Sequence, residues 1–251
     1  MGSQGYYLYG VIQTSEERSL GAVGLEKQQV STIPFQGIAA VVSPWAQDVV
    51  PATPEHCLAH ERVLGELIRT EALLPFEFGT VAPDREGVTK LLKTNSLRLT
   101  RALEKLSGMV EVNVTALWRD MKAIFQELVK GHPMIAHYRR EILATPYGQT
   151  YQDRLTIGQM VAEALEAKKR AEGEVLYRAI KKGSKDACTA CMGRPRGDSV
   201  IFTGAFLVKR DAYPDFERRL LEVGQRYDGR VDFKYTEPLP PYHFVDVKIR
   251  M

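Results

Sequence analysis

The chain has 251 residues, long enough for two ordinary domains, and its 44% hydrophobic and 26% charged composition is that of a globular rather than a disordered protein. Its net charge of +3 comes from 34 basic and 31 acidic residues interspersed along the sequence, which leaves no basic face for nucleic acid. The most apolar stretches, Gly37 to Val42 and Val200 to Val208, are strand-sized and far short of the roughly 20 residues that cross a bilayer, so no membrane partner is expected. Three cysteines are a poor basis for a disulfide framework, and Met1-Gly2-Ser3-Gln4 opens no charged and apolar export signal, which points to the cytoplasm.

The stretch Tyr6 to Ile12 is rich in aromatic and β-branched residues and reads as a central strand. Gly21 to Gly24, Val30 to Phe35 and Gly37 to Val42 are three more short strands, with Gln36-Gly37 as a hairpin turn. Thr53 is placed to cap a helix with Pro54 in its first position, and Val63, Leu64, Leu67 and Ile68 give that helix one apolar face. Leu73 to Val81 alternates like a strand, with Pro75 confining its first half to an edge or a bulge. Asp84 opens a second helix, whose stripe Val88, Leu91, Leu92, Leu99, Leu103 and Leu106 stops at Ser107-Gly108.

The pattern changes after residue 108, so the chain is read as an N-terminal α+β domain, 1–108, and a C-terminal α+β domain, 109–251. The strand Val110 to Val114 is followed by one helical stripe, Leu117, Met121, Ile124, Phe125 and Leu128. A longer one runs from Ile157 to Ile180. Joined through His132-Pro133 and Thr145 to Gly148, they predict a helical hairpin or short coiled coil over about 116–182. A Gly- and Pro-containing loop, Gly183 to Asp198, then leads to strand Val200 to Val208, helix Pro214 to Tyr227, strand Val231 to Tyr235, a proline bend and strand Phe244 to Ile249. With the strand at Val110 these make a second four-stranded unit, ferredoxin-like in order.

Chemical motifs are sparse. Cys188-Thr189-Ala190-Cys191 has metal or thiol-exchange spacing but lacks two further zinc ligands, and it reads as a loop thiol pair without function. His56 and His60 share a helix face at i and i+4 without a third ligand, so His60 reads as a boundary histidine bonded to a neighbour and no metal site is assigned. Arg196-Gly197-Asp198 reads as a turn. No phosphate-cradling loop or nucleophile elbow is present, so no catalytic residues and no cofactor are expected. Glu237 to Phe244 reads as a rigid proline corner that aims the last strand.

Four blocks carry a resemblance. Tyr7-Leu8-Tyr9-Gly10-Val11 resembles the opening of the GvpF/GvpL gas vesicle proteins, and His60-Glu61-Arg62-Val63-Leu64 with Leu74-Pro75-Phe76-Glu77-Phe78-Gly79-Thr80-Val81 is similar to their helix and following segment. Gly108-Met109-Val110-Glu111 matches a Gly-x-x-Glu at the domain junction, and Phe233 to Val245, with Pro240, Pro241, Tyr242 and Phe244, is similar to the family's ending. Glu77 departs from a common Arg, and Glu237 from a Gly. The resemblance implies two modified ferredoxin-like α+β domains, the second with a helical extension, in a non-enzymatic cytoplasmic accessory protein of gas vesicle assembly. It implies the shell protein GvpA as partner, with other Gvp accessory proteins possible, and a contact through Tyr7, Tyr9, Leu74, Pro75, Phe76, Glu77 and Phe78, with Gly79 and the proline ending structural. The alternative is a thiol- or metal-dependent enzyme using Cys188 and Cys191.

Overall fold

A computed structural model describes residues 5–47, 49–146, 151–188, 197–227 and 229–245. The fold is mixed α and β, and the chain divides into two compact units. Unit 1 holds Met1–Val112, Leu207–Tyr213 and Glu237–Met251; unit 2 holds Asn113–Phe206 and Pro214–Thr236. The sequence reading cuts the chain once, after residue 108, whereas here the chain leaves unit 1 within one strand, revisits it briefly and returns at the proline segment.

In unit 1, β1 (Tyr6–Ile12), β2 (Ser19–Val23), β3 (Gln29–Phe35), β4 (Ile38–Pro44) and β5 (Leu73–Pro75) lie in the order β2-β3-β4-β1-β5, and β6 (Val81–Ala82) also pairs with β1. These pairings are all antiparallel. The β3–β4 turn is Gln36-Gly37, both at positive φ (46° and 85°), which matches the right-handed strand twist as the sequence predicts. The stretch read as one strand over 73–81 is instead two short ones, and Pro75 sits on the sheet edge where its missing N–H breaks no inner ladder.

Helices cover both faces of this sheet. Helix α2 (Arg85–Leu106), capped by Asp84 Oδ1 accepting from the Gly87 N–H, packs Val88, Leu91, Leu92, Leu99 and Leu103 into a core with Leu8, Val11, Ile33, Ala40 and Val42. Helix α1 (Pro54–Leu67), capped by Thr53, lies against the other face, where its His60 reaches Tyr7. One strand serves both helices because its side chains alternate between the faces, and β1 also carries a bulge: Leu8 opposes Val42 and Gly10 opposes Val41, so Tyr9 is the extra residue. Tyr7 and Tyr9 turn to α1, and past the bulge Val11 joins Leu8 on the α2 side. Gly10 is required there, since a Cβ would stand 2.5 Å from the Leu74 carbonyl oxygen.

Unit 2 is built on a sheet ordered β10-β7-β9-β8, whose strands are β7 (Met109–Trp118), β8 (Asp186–Cys188), β9 (Val200–Lys209) and β10 (Val231–Tyr235); β7 and β9 also run into unit 1. Two expectations are corrected here. Leu117 belongs to β7 and not to a helical stripe, because the strand continues to Trp118 and Asp120 caps the next helix through the Lys122 and Ala123 N–H groups. The fourth strand is Asp186–Cys188, from the stretch read as loop; Phe244 lies in a 3-10 turn, and residues 246–249 of the predicted last strand fall outside the described residues.

The helical part of unit 2 is α3 (Met121–Gly131), α4 (Pro133–Ala144) and the 31-residue α5 (Tyr151–Lys181), with Pro133 opening α4. Helix α6 (Tyr213–Arg226) completes the unit from residue 214 onward. A charged cluster ties the helices to the sheet. Arg230 donates to both Glu127 oxygens (2.5 and 2.9 Å) and to Glu172 (2.7 Å), Lys168 pairs with the same two carboxylates (2.9 and 3.0 Å), and the Trp118 indole N–H donates to Glu172 (2.7 Å). The Arg230 guanidinium holds the Glu127 carboxyl down to about 2. Glu172 is also lowered: burial would raise it, and the hydrogen bonds from Arg230, Trp118 and Lys168 outweigh that.

Candidate functional site

The bulge in β1 and the caps of α1 bring Tyr7, Tyr9 and His60 together in the interior of unit 1. Tyr7 and Tyr9 meet edge to face with ring centroids 4.8 Å apart, His60 stacks on Tyr9 at 5.7 Å, and Phe78 stands edge-on to His60 at 5.8 Å. His60 is 2% exposed, and burial depresses its pKa to about 4, against the opposing pull of its backbone partner, the Phe76 carbonyl. A neutral imidazole has one donor and one acceptor. The Phe76 carbonyl takes the donor, so Nδ1 accepts from the Tyr7 hydroxyl at 2.7 Å, and Tyr7 Oη in turn accepts from the Gly79 N–H at 3.4 Å. This closed set of bonds pins the segment 76–79 at both ends. Tyr9 Oη likewise accepts from the Leu25 N–H (2.9 Å) and bonds Ser43 (2.9 Å). Gly24 must stay small, since a Cβ would stand 2.0 Å from Tyr9 Oη.

The proline ending returns to the same unit. Glu111, fully buried on β7, accepts from the His243 backbone N–H (2.9 Å) and pairs with His243 Nδ1 (2.7 Å), while its own N–H and carbonyl pair with Leu239 at 2.8 Å each. Next door, the Tyr242 hydroxyl donates to Glu61 of α1 at 3.1 Å, and burial with the Glu61 charge pushes its pKa well above the tyrosine range. Phe244 and Val245 pack against the α2 core.

Of the predicted contact residues, Tyr7, Tyr9, Leu74, Pro75 and Phe76 are buried, Phe78 is half-buried, and Glu77 alone is exposed, while Gly79, read as structural, is half-buried. Pro240 and Pro241 are buried, and Tyr242 and Phe244 half-buried. His60, read as a boundary residue, is a core one, and His56 turns away to the Pro51 carbonyl (2.9 Å). The bridging role of Glu111 escapes sequence reading, although a carboxylate between Val110 and Val112 in an apolar strand is a signal that it has a partner. The Cys188/Cys191 pair falls outside the described side chains, and among the described residues no group of three or more His, Cys, Asp and Glu side chains is arranged to hold a metal.

Three of the four sequence blocks, and the fourth from Glu237 onward, lie in unit 1, and the chain matches a single family model, the gas vesicle synthesis protein GvpL/GvpF, over residues 5–246. The chain belongs to this family. It is 25% identical to gas vesicle protein F of Dolichospermum flosaquae over 96% of this chain and 97% of that one, and 26% identical to gas vesicle protein F of a Streptomyces species over 96% and 99%. The fold is that of the crystal structure of GvpF from an Anabaena species (TM-score 0.82, 24% identity, covering 98% of this chain and 100% of that one). GvpF from Microcystis aeruginosa is similar in fold as well (TM-score 0.77, 23% identity, 96% and 98%). Membership in the GvpL/GvpF family supports a role in gas vesicle formation. Among the described residues no helix is long and apolar enough to cross a membrane.

Proposed function

We propose that this chain is a cytoplasmic accessory protein of gas vesicle assembly that binds the shell protein GvpA through unit 1, as an adaptor that masks the apolar shell subunit before it is added. Its two units are taken as modified ferredoxin-like domains. The observation that carries the reading is the chain of bonds that links the four family blocks: Tyr7 to His60 and to the Gly79 N–H that fixes the segment 76–79, Tyr242 to Glu61, and Glu111 to His243. A segment anchored at Phe76 and Gly79 presents Glu77 and one side of Phe78 in a preset conformation, so little conformational entropy is lost on binding. Tyr7, Tyr9, Leu74, Pro75 and Phe76 then act from beneath, by shaping this surface. Other Gvp accessory proteins are further partners under the same reading.

The test is a pull-down of GvpA by the full chain, wild type and Glu77→Arg. Glu77 is exposed, so the substitution is expected to change stability by less than about 0.5 kcal/mol while changing the amount of GvpA retained. Absence of GvpA binding by both proteins would sink the proposal. Persistence of the chain on washed, purified vesicles would make it a minor component of the shell.

A further inference from the structure

Among the described residues the unit 2 sheet ends on a self-complementary edge. There, strand β10 is terminal in the order β10-β7-β9-β8 and is paired on one side, with Phe233 opposite Ala116. The Thr236 N–H bonds the Asn113 carbonyl (3.0 Å) and the Arg119 N–H bonds the Arg230 carbonyl (2.9 Å). In an antiparallel ladder inward and outward pairs alternate. The even-numbered residues of β10 therefore face β7, and Phe233 and Tyr235 turn both N–H and C=O to the open edge. Val231 offers its carbonyl there, its N–H being held by the Tyr227 carbonyl at 3.3 Å. Beside the edge runs a groove of about 300 Å³ lined by Leu221, Gly224, Val231, Phe233 and Tyr235, and Leu221 is 60% exposed.

We propose that a second copy of this chain occupies this edge, the two β10 strands pairing antiparallel about Phe233. The sequence Val231-Asp232-Phe233-Lys234-Tyr235 reads against itself in that register. Phe233 faces Phe233 in a pair that exchanges both backbone bonds, and each Tyr235 N–H meets the Val231 carbonyl of the other copy. Asp232 faces Lys234 in the closer, non-hydrogen-bonded positions, where opposite charges are favourable and like charges are not. The second copy's Phe233 and Tyr235 side chains cover the groove. A lone lysine on an edge strand usually prevents pairing; an aspartate two residues earlier converts that barrier into a match for this partner. Asp232 is already held by Arg119 (Nε at 3.1 and 3.2 Å) and can accept from both cations. The other sheet's terminal strand, β2, is a poor template, with its register broken between Ser19 and Val23 and Gly21 at φ 69°.

Sedimentation equilibrium of the full chain tests this. The mass is expected to rise with concentration from 28.2 kDa toward twice that value. Lys234→Glu, at an exposed position, and Asp232→Lys should each weaken self-association by about tenfold or more, through two like-charged pairs per dimer. An equimolar mixture of the two variants should recover dimers, as each presents the charge the other lacks. A wild-type chain that stays monomeric at its highest soluble concentration, including one that captures a different protein on β10, overturns the proposal. So does Lys234→Glu self-association equal to wild type.

Discussion

The two units hold their parts together by opposite means. In unit 1 the Tyr7, Tyr9, His60 and Phe78 rings pack together, a neutral hydrogen bond joins Tyr7 to His60, and burial keeps His60 uncharged. In unit 2 the helices are tied to the sheet by Arg230, Lys168, Glu127 and Glu172, whose side chains are 31%, 22%, 40% and 23% exposed and so remain open to screening by salt. A neutral buried set is costly to break and indifferent to ionic strength. A half-exposed ionic set is cheaper to break and tolerates acid further, because its carboxylates are held low.

The comparison is broken most directly at Tyr7. Tyr7→Ala removes a fully buried ring and leaves His60 and the Gly79 N–H without their partner; a loss of about 3–5 kcal/mol is expected in urea unfolding. A loss below about 1 kcal/mol would mean that the cluster collapses around the gap.

Acid separates the units next. The folded pKa of His60, about 4, lies below its ordinary value of 6.5, so the unfolded chain takes up this proton first. The contribution of His60 is whole above pH 6.5 and lost as pH falls to about 4, on the order of 3 kcal/mol. Glu127 is depressed from 4.5 to about 2, so its contribution is whole above 4.5 and lost only below that. Hydrogen exchange corrected for intrinsic rate should show β1 and α1 losing protection before α3 and α5. Simultaneous loss would refute the contrast.

The smallest effect sharpens it. Lys168→Met should cost less than about 1 kcal/mol at low salt and nothing measurable near 1 M salt, where the Debye length is about 3 Å. A salt-independent loss would show packing of the stem rather than charge.

Local chemistry made much of the fold legible. Thr53 and Asp84 announce two helices, Gln36-Gly37 a hairpin, and the stripe ending at Leu106 a helix stop. The error at Leu117 arose because Leu117, Met121 and Ile124 mimic a helical spacing across a strand end. The alternation of buried Val112, Val114, Ala116 and Trp118 with half-buried neighbours, and a capping Asp120, mark the true boundary. The bulge at Tyr9 has no sequence signature, yet it decides that Val11 joins Leu8 on the face opposite the tyrosines. The candidate site was legible as motifs and not as an arrangement: nothing local tells that Glu61 will meet Tyr242, or Glu111 His243.

The strap from Glu111 to His243 also sets a timetable. Most of unit 1 precedes unit 2 in the chain, but its core includes Leu207 and is flanked by Phe244 and Val245. Among the described residues the partner of the fully buried Glu111 carboxylate is His243, which is made 132 residues later. During synthesis unit 1 is thus completed only after the residues of unit 2 have been made, and a nascent chain stopped short of the proline ending leaves Glu111 without its strap.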